Sequence, residues 1–257
     1  MVKYTFGTDD AGRSRLESIA SVFNPLAAQF IRQHLSDQPC AVAADLGCGP
    51  GFTTDMLAQA TGCSRVYGLD NAPYFLQMAA AHFPAYTFIQ HDLTQIPLPV
   101  QADVIYVRFV LSHLPDAVQM VNRWLTALKP GGLLFVDETD SVESKIDVFQ
   151  RYFDTNAGMI AAQGANLWIG ETLAAGQYES EVVASVCDRV LVANFQAATW
   201  FLPNVETVWQ TDPYVQSHLS SQEYQRIAAE IARIKASEDD RQENTWNIRR
   251  IVLRREG

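Results

Sequence analysis

The segment DLGCGPG, residues 45–51, is the part of this chain that decides its fold. It follows a short apolar run, AVAA at residues 41–44, and precedes a run with helical character that begins at Phe52. This order predicts a strand, a glycine-rich turn and a helix. Because glycine has no Cβ, a ligand can approach the backbone of such a turn closely. We therefore expect the turn to hold a ligand against backbone N–H groups, near the positive end of the helix that follows.

A second apolar run, VYGLD at residues 66–70, ends in an acidic residue 19 positions after Gly51. An acid at the end of the second strand is where a Rossmann-type fold binds ribose hydroxyls, which makes Asp70 a candidate. The glycines of residues 47–51 follow the pattern G-x-G-x-G, whereas the nicotinamide fingerprint is G-x-G-x-x-G. The third glycine comes one residue too early for a nicotinamide enzyme.

Residues 40–138 alternate between apolar runs and helical patterns. We predict a strand that ends at Asp45, further strands at 65–70, 86–89, 102–107 and 133–137, and helices at 52–61, 73–82 and 116–128. Strands and helices that alternate with short links imply a parallel sheet with helices on both faces, and ligands lie beyond the carboxyl ends of its strands. The polar residues at those ends are the glycine turn, Asp70, Asp92, Arg108 and Glu138.

The flanking segments are predicted from periodicity alone. Residues 14–35 have helical spacing that Pro25 is expected to break or kink. Residues 144–162, 167–175 and 221–236 are expected to be helical, the last of them capped by Ser220 or Ser221. Alternation predicts strands at 189–195, 205–209 and 245–254.

Bulk composition excludes several classes of function. The formal net charge of −10 argues against nucleic acid as the partner, since phosphate binding needs concentrated Lys and Arg. The chain shows no signal peptide and no apolar run of membrane-spanning length, so we expect no membrane partner. Its four cysteines form no C-x-x-C pair and no zinc spacing, which favours a reducing, cytoplasmic setting over a disulfide framework, and no metal is expected.

The motifs together resemble those of the class I S-adenosylmethionine (SAM) dependent methyltransferases, of the type that acts on small molecules. DLGCGPG resembles the first motif of that family, Asp70 its ribose-binding acid, and HDL at residues 91–93 its adenine-side loop. LKPGG at residues 128–132 resembles the segment that leads into its fifth strand. The resemblance implies an α/β fold: a Rossmann-like, doubly wound, seven-stranded sheet, mostly parallel with an antiparallel terminal strand.

The same resemblance implies a division of the chain and a set of cofactor ligands. The expected parts are an N-terminal helical lid (1–38), a SAM-binding core (39–140), substrate-cap helices (141–187) and the C-terminal part of the core sheet with insertions (188–257). The expected cofactor-binding residues are Tyr4, Arg15, Asp45, Gly47, Cys48, Gly49, Asp70, Asn71, Asp92, Leu93 and Arg108.

Each part of SAM makes a chemical demand that one group of these residues can meet. Asp70, assisted by Asn71, suits the ribose diol, because a carboxylate accepts two hydrogen bonds. Asp92 and the N–H of Leu93 suit adenine, and the carbonyl groups around Gly47 suit the ammonium of the methionine tail. The carboxylate of that tail needs a cation, for which the candidates are Arg108 and then Arg15, while Asp45 acts indirectly through the loop. Tyr4 and Arg15 are also candidates for a lid; the alternative is that Tyr4 caps the core edge and Arg15 is a solvated charge.

The catalytic candidate is His113, whose neutral imidazole can take a proton from an acceptor. The alternative is a structural histidine that fixes the turn before the next helix, and methyl transfer needs no base when the acceptor is already nucleophilic. Candidate substrate-binding residues are Glu138, Met159 and Trp168. The alternative for Glu138 is that it only closes the loop, and for the other two it is plain packing.

We therefore expect SAM-dependent methyl transfer to a small-molecule acceptor, with S-adenosylhomocysteine (SAH) as the product. O-methylation is favoured over N-methylation, and the apolar content of residues 149–214 favours a partly hydrophobic or aromatic acceptor. The run VRFV at 107–110 differs from the Asn/Asp-Pro-Pro-aromatic run of amino-methylating nucleic-acid enzymes. Two alternatives stay open: a SAM-binding protein that catalyses another reaction, and a regulatory or partner subunit. The sequence does not fix the oligomeric state.

Overall fold

The computed structural model of this chain describes residues 10–35 and 40–256. The helices of this part are α1 (Asp10–His34), α2 (Phe52–Thr61), α3 (Pro73–His82), α4 (Ala117–Leu125), α5 (Asp147–Ala162), α6 (Gly170–Ala174), α7 (Asn194–Thr207), α8 (Pro213–His218) and α9 (Ser221–Ala236). The strands are β1 (Val42–Leu46), β2 (Arg65–Asp70), β3 (Thr87–Gln90), β4 (Ala102–Arg108), β5 (Leu128–Ser144), β6 (Glu181–Val192) and β7 (Asn244–Arg254). A 3₁₀ turn, Leu111–His113, follows β4.

The described strands form one sheet of seven, in the order β3-β2-β1-β4-β5-β7-β6. Neighbouring strands from β3 to β5 are parallel, and β7 lies antiparallel between β5 and β6. The predicted fold, a mostly parallel α/β sheet of seven strands with an antiparallel terminal strand, is confirmed.

Helices cover both faces of the sheet. Successive residues on a strand point to opposite sides, and here the residues on both sides are apolar. On β4, Ile105 and Val107 belong to a core with α4, whereas Val104 and Tyr106 belong to a core with α1 and α2. This arrangement leaves the carboxyl ends of the parallel strands as the edge at which a ligand can bind.

Three of the predicted elements between residues 52 and 82 match the structure at both ends. Helix α2 ends at Gly62, whose φ of 66° lets its N–H donate to the carbonyl of Ala58. The left-handed conformation is higher in free energy for a residue with a Cβ than for glycine. A glycine at this position therefore predicts the end of the helix. The predicted helix 221–236 and its Ser220 cap are likewise confirmed, since the Ser220 hydroxyl accepts from the N–H of Glu223.

The predicted strand at 205–209 is wrong, because these residues end α7 and enter the turn after it. Val205 and Trp209 are four residues apart, which places them on one side of a helix, and both are buried in a core with α5 and α9. The predicted strand at 189–195 is shifted, since β6 runs from Glu181 to Val192 and α7 begins at Asn194. Strand β5 extends beyond residue 137 to Ser144, where it pairs with β7.

Helix α1 continues through Pro25, so the predicted break is absent from Asp10–His34. Its apolar side, which includes Ala27, Phe30 and Ile31, is buried against the sheet and α2. Tertiary packing of such a face stabilises a helix more than local propensity does, which is why one proline does not end it.

Helix α1 is also attached to α7 around one tryptophan. The indole Nε1 of Trp200 donates to the Ser18 hydroxyl at 2.8 Å, and the Arg15 Nε donates to the Trp200 carbonyl at 2.8 Å. The ring of Phe23 lies 5.9 Å from the Trp200 ring in the same aromatic core. These contacts hold α1 over the carboxyl ends of the strands.

Cys40 and Cys63 form a disulfide with 4.7 Å between their Cα atoms, so the prediction that the cysteines do not pair is wrong. Each cysteine precedes one of two adjacent parallel strands, and Val42 of β1 is in register with Arg65 of β2. Parallel neighbours bring their amino ends side by side, which the spacing of 23 residues does not reveal. Within residues 10–35 and 40–256, no helix has the length and apolar character needed to cross a membrane.

Candidate functional site

A cavity of about 540 Å³ opens beyond the carboxyl ends of β1, β2 and β4, with α1 along one side. It brings together residues that are far apart in the sequence. The predicted residues that line it are Arg15, Gly47, Cys48, Gly49, Asp70, Asn71, Asp92, Leu93, Arg108 and His113. Tyr4, the remaining lid candidate, lies outside the described residues.

The glycine turn after β1 is anchored to β2 by its own backbone. The N–H groups of Gly47 and Cys48 donate to the carbonyl of Leu69, at 2.8 and 3.1 Å. Gly47 has a φ of 75°, and a Cβ built on it would lie 2.3 Å from Cγ2 of Val110. Only glycine fits both the left-handed backbone and this close approach, so the turn and the loop after β4 are in direct contact.

Asp70 ends β2 and faces the cavity. Its Oδ2 accepts from the N–H of Gly49 at 2.9 Å, and its Oδ1 accepts from the N–H of Ala72 at 2.8 Å. Each carboxylate oxygen has two acceptor sites, so both retain capacity for a ligand hydroxyl. Burial raises the pKa of Asp70, and the backbone N–H groups partly oppose that shift.

Asp45 lies beneath the turn and is buried, outside the set of cavity-lining residues. Its Oδ2 accepts from the hydroxyls of Thr53 and Thr54, at 2.6 and 2.7 Å. Burial raises its pKa to about 6, against the effect of these hydrogen bonds. Asp45 therefore ties the end of β1 to the first turn of α2.

At the far end of the cavity, Asp92 and Leu93 form part of the loop after β3. The Oδ1 of Asp92 accepts from the hydroxyl and the N–H of Thr94, at 2.7 and 3.0 Å, and these bonds lower its pKa. The carbonyl of Leu93 accepts from the indole Nε1 of Trp124 at 2.9 Å. The loop is thus fixed by internal hydrogen bonds.

Arg108 ends β4 and lines the cavity. Its Nη1 is buried and has no hydrogen-bond partner among the described residues. A buried charged donor without a partner is unfavourable, and native structures rarely leave one. An anionic ligand group in the cavity would supply the missing partner.

His113 closes the 3₁₀ turn and lines the cavity near Arg15. Burial, together with the positive charge of Arg15, lowers the pKa of His113 to about 4. Its imidazole is therefore neutral near pH 7 and can accept a proton.

The three predicted substrate-binding residues lie elsewhere than the cavity lining. Glu138 is fully buried behind the loop after β4, and its Oε1 accepts from backbone N–H groups. Met159 is fully buried in the aromatic core of α5 and α7. Trp168 packs against that core, 5.9 Å from the ring of Phe153. For Met159 and Trp168, packing explains the sequence pattern.

Sequence reasoning missed much of the apolar lining. Leu16 and Ile19 reach the cavity from α1, and Phe109 and Val110 from the loop after β4. The Phe109 ring contacts the Phe23 ring edge-on at 5.3 Å. A usable signal was present, because Ile19 lies four residues after Arg15 and three after Leu16, the spacings of one helix face.

Comparison with known proteins finds similarity over part of the chain. Residues 44–136 match the family model described as a methyltransferase domain. The trans-aconitate 2-methyltransferase of Rhodopseudomonas palustris strain BisB18 is 31% identical over 125 residues, 49% of this chain and 48% of that protein. The protein of the same name from Methylobacterium radiotolerans is 32% identical over 161 residues, 63% of this chain and 57% of that protein. The chain spans about half the length of the curated relatives it matches.

Solved structures share the fold across most of the chain. Phosphoethanolamine N-methyltransferase 2 of Haemonchus contortus, in complex with S-adenosyl-L-methionine, has a TM-score of 0.55 at 15% identity, covering 100% of this chain and 61% of that one. The [4+2]-cyclase SpnF has a TM-score of 0.51 at 16% identity, covering 91% of this chain and 80% of that one. Because a methyltransferase and a cyclase share it, the fold by itself does not assign the reaction.

Proposed function

We propose that this chain transfers a methyl group from SAM to a small-molecule acceptor, because residues 44–136 match the family model described as a methyltransferase domain. The observation that carries the proposal is the convergence of the Gly47 turn, Asp70 and Arg108 on one cavity. The buried Nη1 of Arg108 has no hydrogen-bond partner among the described residues. We also propose that α1 is part of a cover over that cavity and that residues 188–257 form the C-terminal part of the core sheet. The helices within residues 141–187 pack in the hydrophobic cores, and none of their residues lines the cavity.

The residues present fit SAM at both of its ends. Asp70, already fixed by two N–H groups, has acceptor sites left for the ribose hydroxyls. Arg108 offers a buried donor for the carboxylate of the methionine tail. The Asp92 loop would hold the adenine side, and the glycine turn the ammonium side. When bound, SAM supplies a methyl group on a good leaving group.

O-methylation of a small carboxylic acid or hydroxyl compound is the acceptor chemistry we favour. Two of the described relatives are named for trans-aconitate, a carboxylic acid. Arg15 lies at the same cavity as Arg108, so one guanidinium would face the cofactor tail and the other an acceptor carboxylate. A carboxylate acceptor is already nucleophilic, so Arg15 and the cavity walls would mainly orient it.

The remaining wall of the cavity favours an acceptor with an apolar body. Leu16, Ile19, Phe109, Val110 and Leu114 line it beside Arg15. Such side chains contact a hydrocarbon or aromatic skeleton without leaving polar groups unpaired. For a hydroxyl acceptor, the neutral imidazole of His113 would take the proton.

The proposal is tested by titrating the chain with SAM and SAH in a calorimeter. The chain is then incubated with SAM and separate panels of carboxylic acids, phenols and amines, and SAH release is followed. Binding together with SAH release from a carboxylic acid or phenol supports the proposal. Release from amines alone overturns the O-methylation part. Binding without release from any panel would favour a non-methylating or regulatory role, and absence of binding would overturn the cofactor assignment.

A further inference from the structure

Glu138 of β5 holds the loop that follows β4. It is fully buried, and its Oε1 accepts from the N–H groups of Val110 and Leu111, each at 2.7 Å. Both distances are at the short end of the range for N–H···O hydrogen bonds. Its Oε2 is buried with no hydrogen-bond partner among the described residues.

The loop needs such an acceptor because it opens a turn of helix. The first N–H groups of any helical turn lack partners within the turn. Val110 precedes the 3₁₀ turn Leu111–His113, and its side chain makes no capping hydrogen bond. Glu138 supplies the cap from 28 residues further along the chain.

The loop is also held in a conformation that its sequence disfavours. Phe109 has a φ of 55°, in the left-handed region that bulky residues rarely adopt. Its N–H donates to the carbonyl of Asp137 at 3.1 Å, so consecutive residues of β5 fix both Phe109 and Val110. Strain of this kind persists only where the surrounding structure imposes it, and it marks candidate functional positions.

The loop after β4 forms one wall of the cavity. Phe109, Val110 and His113 all line it. Val110 lies directly against Gly47, so the loop cannot move toward the glycine turn. The width of the cavity beside the glycine turn therefore depends on where β5 holds the loop.

We propose that Glu138 is a positioning residue for the acceptor: by accepting the N–H groups of Val110 and Leu111, it keeps Phe109 and His113 at the cavity wall. The acceptor part of this inference rests on the proposed function. Glu138 has no contact with the cavity itself, so it acts through the loop and does not replace His113 as a proton acceptor.

The test compares Glu138→Gln with Glu138→Leu. Glutamine keeps a carbonyl oxygen that can accept both N–H groups, whereas leucine of similar size accepts neither. Glu143→Gln and Glu143→Leu are the matched controls, because Glu143 lies on the same strand and is exposed. The readouts are kcat and KM for the acceptor, the Kd for SAM, and hydrogen exchange of residues 109–113.

We expect Glu138→Leu to lower kcat/KM for the acceptor by about tenfold or more and to speed exchange of residues 109–113, with the SAM Kd changed by less than about threefold. Glu138→Gln and the control variants should stay within about threefold of the parent chain. Equal losses in Glu138→Gln and Glu138→Leu would overturn the inference, since the acidic group itself would then be required. Parent-like rates and exchange in Glu138→Leu would overturn it as well.

The exchange measurement keeps the inference separate from the proposed function. It needs no acceptor, so it applies even if no compound is methylated. If Glu138→Leu does not fold, hydrogen exchange in the parent chain provides the test. Slow exchange of the Val110 and Leu111 amides supports their hydrogen bonds to Glu138, and exchange at the rate of a free loop contradicts them.

Discussion

The backbone N–H of Gly49 donates a hydrogen bond of 2.9 Å to Oδ2 of Asp70, which joins the glycine turn after β1 to the end of β2. The N–H of Ala72 binds the other oxygen at 2.8 Å. The carboxylate is therefore oriented by the backbone on both sides, and its position does not depend on a ligand. A preoriented acceptor loses less freedom on binding than a mobile one.

Replacing Asp70 by alanine should weaken SAM binding by about tenfold or more, because it removes the ribose acceptor and the anchor of the glycine turn together. Calorimetric titration measures the change, and circular dichroism checks the fold. Asp154→Ala, at an exposed acid of α5, is the control. An unchanged SAM affinity in Asp70→Ala would remove Asp70 from the cofactor site.

Gly47→Ala and Gly62→Ala should separate backbone strain from steric conflict. Both glycines have a left-handed φ, of 75° and 66°, so both substitutions strain the backbone. A Cβ at Gly47 would lie 2.3 Å from Val110, whereas a Cβ at Gly62 has no heavy atom within 4 Å.

We therefore expect a similar loss of stability of about 1 kcal/mol from strain in each variant. Gly47→Ala should lose a further amount and weaken SAM binding by about tenfold, because the turn or the loop must move. Thermal unfolding and SAM titration measure the two effects. Equal SAM affinity in the two variants would contradict the close contact between Gly47 and Val110.

His113→Ala should lower turnover of a hydroxyl acceptor while preserving SAM affinity, if His113 takes the proton. Because the folded pKa of about 4 is below the ordinary value of 6.5, the imidazole is already neutral at pH 6. The acid limb of kcat/KM, which reports the pKa of the free chain, should therefore fall near pH 4 and not near pH 6.5. His218→Ala, at an exposed histidine of α8, is the control. Full turnover in His113→Ala would assign His113 to the turn alone.

Glu138→Gln should change how stability depends on pH. Burial raises the pKa of Glu138 from 4.5 to about 8, so the folded chain holds this proton more tightly than the unfolded chain. Its stabilising effect is complete below pH 4.5 and is lost as pH rises to about 8.

Glutamine does not ionise, so Glu138→Gln should gain stability relative to the parent chain across that range, by up to about 1.4 kcal/mol per pH unit. Urea unfolding at several pH values between 5 and 8 measures the difference. Parallel stability profiles for the two chains would show that the Glu138 carboxyl titrates normally.

The sequence predicts the cofactor half of the structure because its signals are local. Gly62 ends α2 through a backbone that glycine adopts most easily, and Asp70 ends β2 at a strand boundary. Their positions at the cavity follow from one rule, that parallel strands place their carboxyl ends at the same edge. Arg108 and Asp92 reach the cavity by the same rule.

The rest depends on contacts between distant segments. The spacing of four residues between Val205 and Trp209 is compatible with a short strand and with a helix. Burial against α5 and α9 favours the helical end of α7 and the turn after it. The sequence predicts that the fifth strand ends just before Glu138, but β5 continues to Ser144, and the Glu138 side chain accepts from N–H groups of the loop after β4. The Cys40–Cys63 pair appears only when β1 and β2 are known to be neighbours.

The attachment of α1 to α7 through Trp200 bears on how the molecule can be recombined. One cavity wall, with Leu16 and Ile19, comes from a segment before the sheet, yet its support comes from a segment some 180 residues later. A chimera that exchanges only residues 10–35 would separate Ser18 from its indole partner. A chimera that transfers the acceptor preference to another sheet of this type must therefore include both α1 and α7.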